Sequence, residues 1–345
     1  MTLHRDLDAA ADDWRCLQEH GAGGPHDCLE WVQCWWTAVG RHEGVQPVIA
    51  TGCNVHGHPR FLLPLGLRRS KGVARLEWLA SAHGNYSGGL LHPEVWRETR
   101  GQPGPAILEA LRPHLAFADV MHLDAVPASF EDCTGPLAGL PVIADASAGY
   151  ALTVLPGAEG NFQTHLSKKA RGNLKRSERR LSEHGELTFT QARGEDGIAR
   201  VLKALFEQKQ AWCRQTGVPD FLRDADVRAF YEALVRQPAG TGSYEPILFA
   251  LAAGDEIIAT NLGIRFGDSF YGLITTITQG NCRRHSPGNV LFRKMVEEMA
   301  GRGVNQVDWG AGDNGLKALW CTTRRERGHV VLALTAKGEA AAAAL

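Results

Sequence analysis

The chain has 345 residues, more than one hydrophobic core usually serves, so we expect two domains. Hydrophobic residues make up 44% and charged residues 22%, a composition that excludes a disordered chain. Because 37 Lys and Arg nearly balance 38 Asp and Glu, the overall charge gives no reason to expect DNA or a membrane as a partner.

The eight cysteines are scattered without a C-x-x-C pair, a spacing that favours neither a zinc site nor a disulfide framework. Reduced thiols are typical of a cytoplasmic protein. The N-terminus, "MTLHRDLDAAADDW", carries acidic residues and no apolar run. No stretch approaches the roughly 18 apolar residues of a membrane span. We therefore expect a cytoplasmic protein that needs no metal and does not insert into a membrane.

The N-terminal half combines helices with strands. Its apolar positions predict a helix near 28–39 and another near 105–117. Runs rich in aliphatic and β-branched residues predict strands at 47–51, 60–67, 75–80 and 120–125. The stretch 145–160 then mixes small residues with turn formers. We therefore expect an N-terminal domain over 1–150 and a C-terminal domain over 151–345.

A basic segment opens the C-terminal domain. Between 167 and 180 it holds seven Lys or Arg and one Glu. Leu166, Ala170, Leu174 and Leu181 recur every three to four residues, which predicts an amphipathic helix with a narrow apolar stripe and a cationic face. Such a helix is either a solvated surface helix or a contact for an acidic or phosphorylated ligand.

The elements that follow form a regular series. A strand is predicted at 186–192, then helices at 195–215 and 224–237. Three short strands come next, at 246–252, 256–264 and 269–277, and the Gly-Asp turns between them predict an antiparallel meander. The series ends with a helix from Val290, a strand at 304–310, a short helix near 316–320 and a strand at 329–334.

The turn before the helix at Val290 is the most informative segment. It reads "RRHSPGN", and Pro287 and Gly288 suit the start of a helix better than its interior. The first turn of a helix has backbone N–H groups without internal partners and the positive end of the helix dipole. With two arginines and His285 directly before it, the turn predicts a phosphate site. The alternative is an ordinary helix start beside exposed basic side chains.

The segment "RRHSPGNVLF", 283–292, resembles the pyrophosphate loop of the GNAT acyltransferases, which bind acyl-coenzyme A. The run through "VDWGAGD" to Lys317 and Trp320 is similar to the CelD/BcsL-like or BioF2-like branch, associated with polysaccharide biosynthesis. That branch also carries a basic segment like 166–181 and N-terminal motifs like those at 31–40, 62–69 and 84–88. The resemblance implies an α/β (α+β) fold of tandem GNAT-like domains, each a mixed, mostly antiparallel sheet flanked by helices. The N-terminal domain would be degenerate, without an evident pyrophosphate loop.

The resemblance also implies a donor site. Acetyl-coenzyme A, or another acyl-coenzyme A, would be the co-substrate. Arg283 takes the basic position of the loop and Gly288 its last glycine, whereas Ser286 stands where glycine is more common. The thioester would lie between the diverging strands 269–277 and 304–310, where backbone N–H groups can polarise its carbonyl. The expected donor-binding residues are Ile274, Thr275, Arg283, Arg284, Ser286, Gly288, Asn289 and Val290.

Three residues are candidates for the base that accepts the amine proton. Asp308 ends the 304–310 strand and Asp313 lies in the following loop, where partial burial can raise the pKa of a carboxylate towards neutrality. His285 is the third, since histidine titrates near neutral pH. Each has a structural alternative: the aspartates can cap a turn or pair with Lys317, and His285 can bind phosphate.

The expected acceptor is a small amine, such as an amino sugar or nucleotide sugar, by resemblance alone. Lys168, Arg171 and Lys175 are one helical turn apart on the basic helix and are candidates to contact a phosphorylated or acidic acceptor. Lys317 and Tyr86 match family positions and are further substrate-binding candidates.

Three functions compete. The first, which we expect, is direct N-acyl transfer from acyl-coenzyme A. The second is Fem-type transfer from aminoacyl-tRNA, in which the basic helix would bind RNA or a lipid-linked precursor and affinity would fall steeply with salt. The third is a GNAT fold kept as a non-catalytic binding module.

Overall fold

The computed structural model describes residues 1–127, 135–155, 166–237, 244–312, 317 and 320–344. Unit 1 comprises Met1–Ala148 together with Arg325–Leu345, and unit 2 comprises Gly149–Arg324. The end of the chain, expected within the domain 151–345, therefore belongs to unit 1. No helix in the described ranges is both long and apolar enough to cross a membrane.

Unit 1 is built on a mixed sheet. Its strands are β1 (Thr2–His4), β2 (Gln46–Cys53), β3 (Pro59–Ser70), β4 (Val73–Trp78), β5 (Leu90–Leu91), β6 (Val120–Pro127), β7 (Ile143–Ala144) and the C-terminal strand Arg327–Ala333. The order is β1-β2-β3-β4-β6, the C-terminal strand and β7, with β5 beside β3. β2, β3 and β4 form an antiparallel meander, and β6 runs parallel to β4 and antiparallel to the C-terminal strand.

The helices of unit 1 cover its sheet. They are α1 (Ala11–His20), α2 (Leu29–Trp35), α3 (Pro93–Glu98), α4 (Pro103–Leu111) and, at the end of the chain, Ala336–Ala342. The core forms where Ile107 and Leu111 of α4 meet Leu65, Leu76 and Leu123 of the sheet. Burial of such apolar surface is the main source of stability in a domain of this size.

Unit 2 has its own mixed sheet. Its strands are β8 (Gly149–Thr153), β9 (Leu187–Gln191), β10 (Glu245–Ala253), β11 (Glu256–Phe266), β12 (Ser269–Ile277), β13 (Gln306–Ala311) and β14 (Thr323–Arg325). The order is β14-β8-β13-β12-β11-β10-β9. Neighbours from β9 to β12 are antiparallel, β12 and β13 are parallel, and β13 is antiparallel to β8. The C-terminal strand of unit 1 is β15.

The helices of unit 2 are α5 (Lys168–Ser182), α6 (Gly194–Thr216), α7 (Ala225–Arg236) and α8 (Pro287–Gly301), and the last helix of unit 1 is α9. α8 packs its Met295 and Val296 onto Phe249 and Phe270 of the sheet. An ion pair of 2.6 Å between Arg293 and Glu178 links α8 to α5, the basic helix. The basic segment therefore lies alongside the helix that follows the predicted phosphate turn.

The two units repeat one chain path. In each, a three-stranded antiparallel meander leads into a helix, α4 or α8, and the next strand runs parallel to the last strand of the meander. The expected fold class is confirmed: an α/β chain with two mixed, mostly antiparallel sheets flanked by helices.

Most predicted elements of the C-terminal half are confirmed, including the meander, α6, α7, α8 and β13. The helix near 316–320 lies largely outside the described residues. The strand predicted at 329–334 is present as β15, but it pairs with β6 of unit 1, where Val330 lies opposite Leu123. Both side chains are fully buried in the core of unit 1, which explains why the strand is held there.

Candidate functional site

The most distinctive feature of unit 2 is the way β12 and β13 part. The strands pair in parallel over three positions, from Ser269 with Gln306 to Tyr271 with Asp308. Beyond Tyr271 no further pair joins them in the described ranges, and β13 continues beside β8. Within the part of the chain that the structure describes, the edge of β12 over 273–277 therefore has no neighbouring strand on this side. A ligand between strands 269–277 and 304–310 requires such an open edge.

A β-bulge lies on β12 at the same point. Opposite β11, Gly272 pairs with Gly263 and Ile274 with Leu262, which leaves Leu273 as the extra residue. A bulge bends its strand and is common beside functional sites. Sequence reasoning missed this bulge, although Gly272 is a usable signal because a glycine inside a strand often marks one.

The start of α8 lies against β12 because of one glycine. Gly288 is buried, and a Cβ added there would lie 3.3 Å from Cγ2 of Ile277, tighter than ordinary contact. Ser286 is the N-cap and adopts the left-handed conformation, with φ 54° and ψ 55°. That conformation favours glycine, which explains why glycine is usual at this position of the loop.

The basic residues of the turn contact different elements. Arg283 donates from Nη1 to Oε1 of Gln215 in α6. Arg284 Nε lies 3.3 Å from His285 Nε2, and the His285 ring lies 5.7 Å from the ring of His184 at the end of α5. Partial burial, followed by the positive charges of Arg284, His184 and Arg180, lowers the pKa of His285. The turn is therefore an electropositive surface.

Two buried polar atoms near the bulge find no hydrogen-bond partner among the described residues, Asn261 Oδ1 and Trp309 Nε1. Asn261 Nδ2 donates to Thr275 Oγ1 at 2.8 Å, and Trp309 stacks on Phe292 with ring centroids 3.7 Å apart. Both side chains border Gly272, where an added Cβ would lie 3.2 Å from Trp309 Cε3 and 3.6 Å from Asn261 Nδ2. Unsatisfied buried polar atoms call for a partner. One acceptor and one donor therefore lie without a partner among the described residues beside the point where β12 and β13 part.

The remaining expected donor residues have mixed roles. Ile274 and Val290 are buried apolar residues. Asn289 is partly exposed, and its Oδ1 accepts a hydrogen bond of 3.3 Å from Trp320 Nε1. Trp320, a family position without assigned chemistry, is itself buried.

Asp308 is fully buried at the last paired position of β12 and β13. Its Oδ1 accepts a hydrogen bond of 2.6 Å from the Gly310 N–H. Lys317 donates from Nζ to the carbonyl oxygens of Gly310 and Ala311, at 2.9 and 2.5 Å, and so holds the end of β13. Burial, followed by the Asp308 charge, raises the pKa of the Cys321 thiol to about 12, so this thiol is not a nucleophile at neutral pH.

A cavity of about 190 Å³ lies between α5 and the start of α8. Its lining includes Ala170, Asn173, Leu174 and Ser177 of α5, with Ser286 and Asn289 opposite. The predicted cations Lys168, Arg171 and Lys175 share one face of α5, but at 3.6 residues per turn that face lies roughly 140° round the helix from the cavity-lining residues. The polar side chains that α5 presents to this cavity are therefore Asn173 and Ser177, and the spacing of charged residues in the sequence does not point to them.

Two further candidates lie elsewhere. Tyr86 is in unit 1, where it is 1% exposed and packed in the loop after β4. Asp313 lies outside the described residues. Within the described ranges, no group of three or more His, Cys, Asp or Glu side chains is arranged to hold a metal ion.

Comparison with solved structures relates this fold to known proteins at low sequence identity. FemX aligns with a TM-score of 0.62 and 10% identity, over 96% of this chain and 97% of that chain. The C-terminal domain of a proposed lysylphosphatidylglycerol synthetase from Agrobacterium fabrum aligns with a TM-score of 0.55 and 12% identity, over 98% and 93%. A conserved protein of unknown function from Bacteroides thetaiotaomicron aligns with a TM-score of 0.53 and 12% identity, over 96% and 99%. At these identities the likeness concerns the fold.

Comparison of the sequence with curated proteins found no match. Residues 168–318 match the family model described as an acetyltransferase (GNAT) domain. The matched segment runs from the first residue of α5 through the bulge, the turn and α8 to the residue after Lys317. Residues 168–318 are therefore similar to a GNAT acetyltransferase domain, which supports a transferase enzyme.

Proposed function

We propose that this chain is an acyl-coenzyme A-dependent N-acyltransferase, which transfers an acetyl or similar acyl group to an amine. The observation that carries the proposal is the parting of β12 and β13 at a bulge, on a strand whose last residue, Ile277, lies against the start of α8. Such an arrangement offers an open strand edge to the acyl group and a helix N-terminus to the pyrophosphate.

The acyl-coenzyme A would supply an activated thioester carbonyl. The amine nitrogen would attack that carbonyl carbon directly, the C–S bond would break, and the coenzyme A thiolate would take up a proton. Backbone N–H groups of β12 beyond Tyr271 would stabilise the negative charge that develops on the carbonyl oxygen. Asp308, at the point where the strands part, would accept the amine proton directly or through a water molecule. The backbone N–H groups at the helix start, where Gly288 lies, and the Arg283 side chain would bind the pyrophosphate.

The acceptor we propose is a small amine such as an amino sugar or nucleotide sugar, in polysaccharide biosynthesis and in the cytoplasm. This part of the proposal depends on the family resemblance. The α5 side chains Asn173 and Ser177 support a polar ligand beside α8, because hydroxyl and amide groups bind sugars and phosphates alike. Lys168, Arg171 and Lys175 stay candidates for an anionic part of the acceptor.

A second candidate, Fem-type transfer from aminoacyl-tRNA, has one observation in its favour. The cationic face of α5 that bears Lys168 and Lys175 is exposed and is turned away from the cavity. RNA bound there would lose affinity steeply between about 50 and 200 mM salt. Binding of acetyl-coenzyme A through one pyrophosphate would depend far less on salt.

Turnover tests the proposal. The purified full-length chain is incubated with acetyl-coenzyme A and a panel of amines, amino sugars first, and release of free thiol is recorded. We expect release only when an amine is present. Asp308→Asn should lower kcat by about 100-fold or more, as loss of a general base does, while its Oδ1 can still accept from Gly310.

The matched control is Asp255→Asn, which changes an exposed carboxylate in the turn between β10 and β11 of the same unit. It should leave kcat unchanged. Unchanged turnover in Asp308→Asn would remove Asp308 from the role of base. Donor binding without thiol release on any amine would instead favour a non-catalytic binding module.

A further inference from the structure

Four basic side chains lie close enough for three of them to act electrostatically on the fourth, His285, where the end of α5 approaches the turn before α8. They are Arg180, His184, Arg284 and His285. The rings of His184 and His285 lie 5.7 Å apart, and Arg284 Nε lies 3.3 Å from His285 Nε2. Leu181 of α5 and Cys282 of the turn share one apolar core, and the two elements bring like-charged or chargeable groups together at its edge.

The charge of this basic cluster is only partly balanced. Among the described carboxylates, Glu183 pairs with Arg180 at 3.1 Å. The pKa of His285 is lowered by partial burial and then by the charges of Arg284, His184 and Arg180, with Glu183 acting in the opposite direction. Neighbouring positive charges disfavour protonation of one another and present a positive potential to solvent. An anion that binds there reduces this repulsion.

The basic cluster lies close to the helix start assigned to the pyrophosphate. Arg284 and His285 precede the N-cap Ser286 by two residues and one residue, so their Cα atoms lie within about 8 Å of it. Arg283, by contrast, is held by Gln215 of α6. The turn therefore offers two anion-binding surfaces, one at the start of α8 and one beside α5.

We propose that the basic cluster binds the 3′-phosphate of the coenzyme A ribose. This inference rests on the proposed function. A phosphate monoester carries close to two negative charges and three acceptor oxygens, which suits two guanidinium groups and two imidazoles. In coenzyme A this monoester is separated from the pyrophosphate by one ribose, so that two neighbouring anion sites match one ligand. The cluster therefore distinguishes coenzyme A from its 3′-dephospho form.

Calorimetric titration with coenzyme A and with 3′-dephospho-coenzyme A tests this, because the two ligands differ only in the monoester. For the unaltered chain we expect coenzyme A to bind at least about tenfold more tightly than 3′-dephospho-coenzyme A, because the monoester adds one or more charge-assisted hydrogen bonds. Arg284→Gln and Arg180→Gln should each reduce that ratio to about threefold or less, by weakening coenzyme A while leaving the dephospho form unchanged. Arg179→Gln, an exposed arginine of the same helix outside the cluster, should keep the full ratio.

Two results would overturn the inference and separate it from the proposed function. Equal binding of both ligands by the unaltered chain would refute recognition of the 3′-phosphate while leaving the donor site in place. If Arg284→Gln kept the ratio but raised the KM of a phosphorylated amine, the cluster would serve the acceptor instead. Failure of both ligands to bind would refute the proposed function itself. Melting temperatures of the variants, measured in parallel, identify any variant that fails to fold.

Discussion

Asp27 of unit 1 is a buried carboxylate held by backbone N–H groups. The side chain is fully buried, and its oxygens accept from the Gly88 N–H at 3.1 and 3.2 Å and from the Gly24 N–H at 3.4 Å. Burial raises the pKa of Asp27 from 3.8 to about 6. The loop "GNYSG", 84–88, which is similar to a family motif, is thus held in place by Asp27, and Tyr86 within it is buried. These contacts favour a structural role for the motif.

The raised pKa predicts a pH-dependent contribution to stability. The folded pKa of Asp27 lies above the unfolded one, so this contribution is fully present below about pH 4 and is lost as pH rises through about 6. The loss is on the order of 3 kcal/mol. Asp27→Asn cannot titrate, so its melting temperature relative to the unaltered chain should rise by roughly 5–10 °C between pH 4 and pH 7. Asp12→Asn, at an exposed carboxylate, should give no such change. If the melting temperature of both variants followed that of the unaltered chain with pH, Asp27 would not have a raised pKa.

Residue-scale prediction from sequence succeeded where chain geometry fixes the outcome. The helix start at Pro287 and Gly288 could be predicted because a helix start requires particular backbone conformations at particular positions, whereas a donor-binding role for Ser286 and Gly288 stays a prediction. The direction of the basic face could not be identified. Spacing places Lys168, Arg171 and Lys175 on one side of α5, but which side packs inward depends on the apolar stripe and on the Arg293–Glu178 ion pair with α8.

At the scale of elements, the helix starts of the two units differ. In unit 1 the Gly104 N–H of α4 donates to the Ala138 carbonyl at 2.8 Å, and a Cβ added at Gly104 would lie 2.7 Å from that oxygen. The first turn of α4 is thus capped by its own chain. This explains why the N-terminal half has the meander and the helix but no evident pyrophosphate loop.

The placement of β15 predicts which unit a mutation destabilises. Val330 lies in the core of unit 1 and Val307 in the core of unit 2, both fully buried. Each Val→Ala change removes two buried methyl groups at a cost of about 2 kcal/mol. In hydrogen-exchange experiments, Val330→Ala should speed exchange in β6 and β15, and Val307→Ala in β12 and β13. Faster exchange of β13 in Val330→Ala, with β6 unchanged, would refute the division of the chain.

Element prediction missed the helices α1, α3 and α9, and it assigned β15 to the C-terminal domain because the pairing of that strand is long-range. The strand at 329–334 has the right alternation, yet nothing local indicates that its partner is β6, about 200 residues earlier in the chain. The end of the β12–β13 pairing is also invisible in sequence, because it depends on how β13 pairs with β8 beyond Asp308. The bulge at Leu273 is an intermediate case, since Gly272 marks its position.

At the scale of the whole molecule, two units with the same chain path differ in what they can bind. Unit 2 combines parted strands, a bulge and a helix start whose Gly288 lies against β12. Unit 1 has the meander and the parallel strand, but its helix start is capped by Ala138. Because a fold alone does not determine function, the donor site in unit 2 is the central claim.

Calorimetric titration with acetyl-coenzyme A tests that claim most directly, on the unaltered chain, on Gly288→Val and on Gly301→Val. A Cβ added at Gly288 would lie 3.3 Å from Cγ2 of Ile277, whereas a Cβ added at Gly301, the last residue of the same helix, would point into open space. We predict binding by the unaltered chain and by Gly301→Val, and a loss of at least about tenfold in Gly288→Val, because the valine displaces the start of α8 from β12. Equal affinity in all three proteins, or no binding to the unaltered chain, would contradict a donor site at the start of α8.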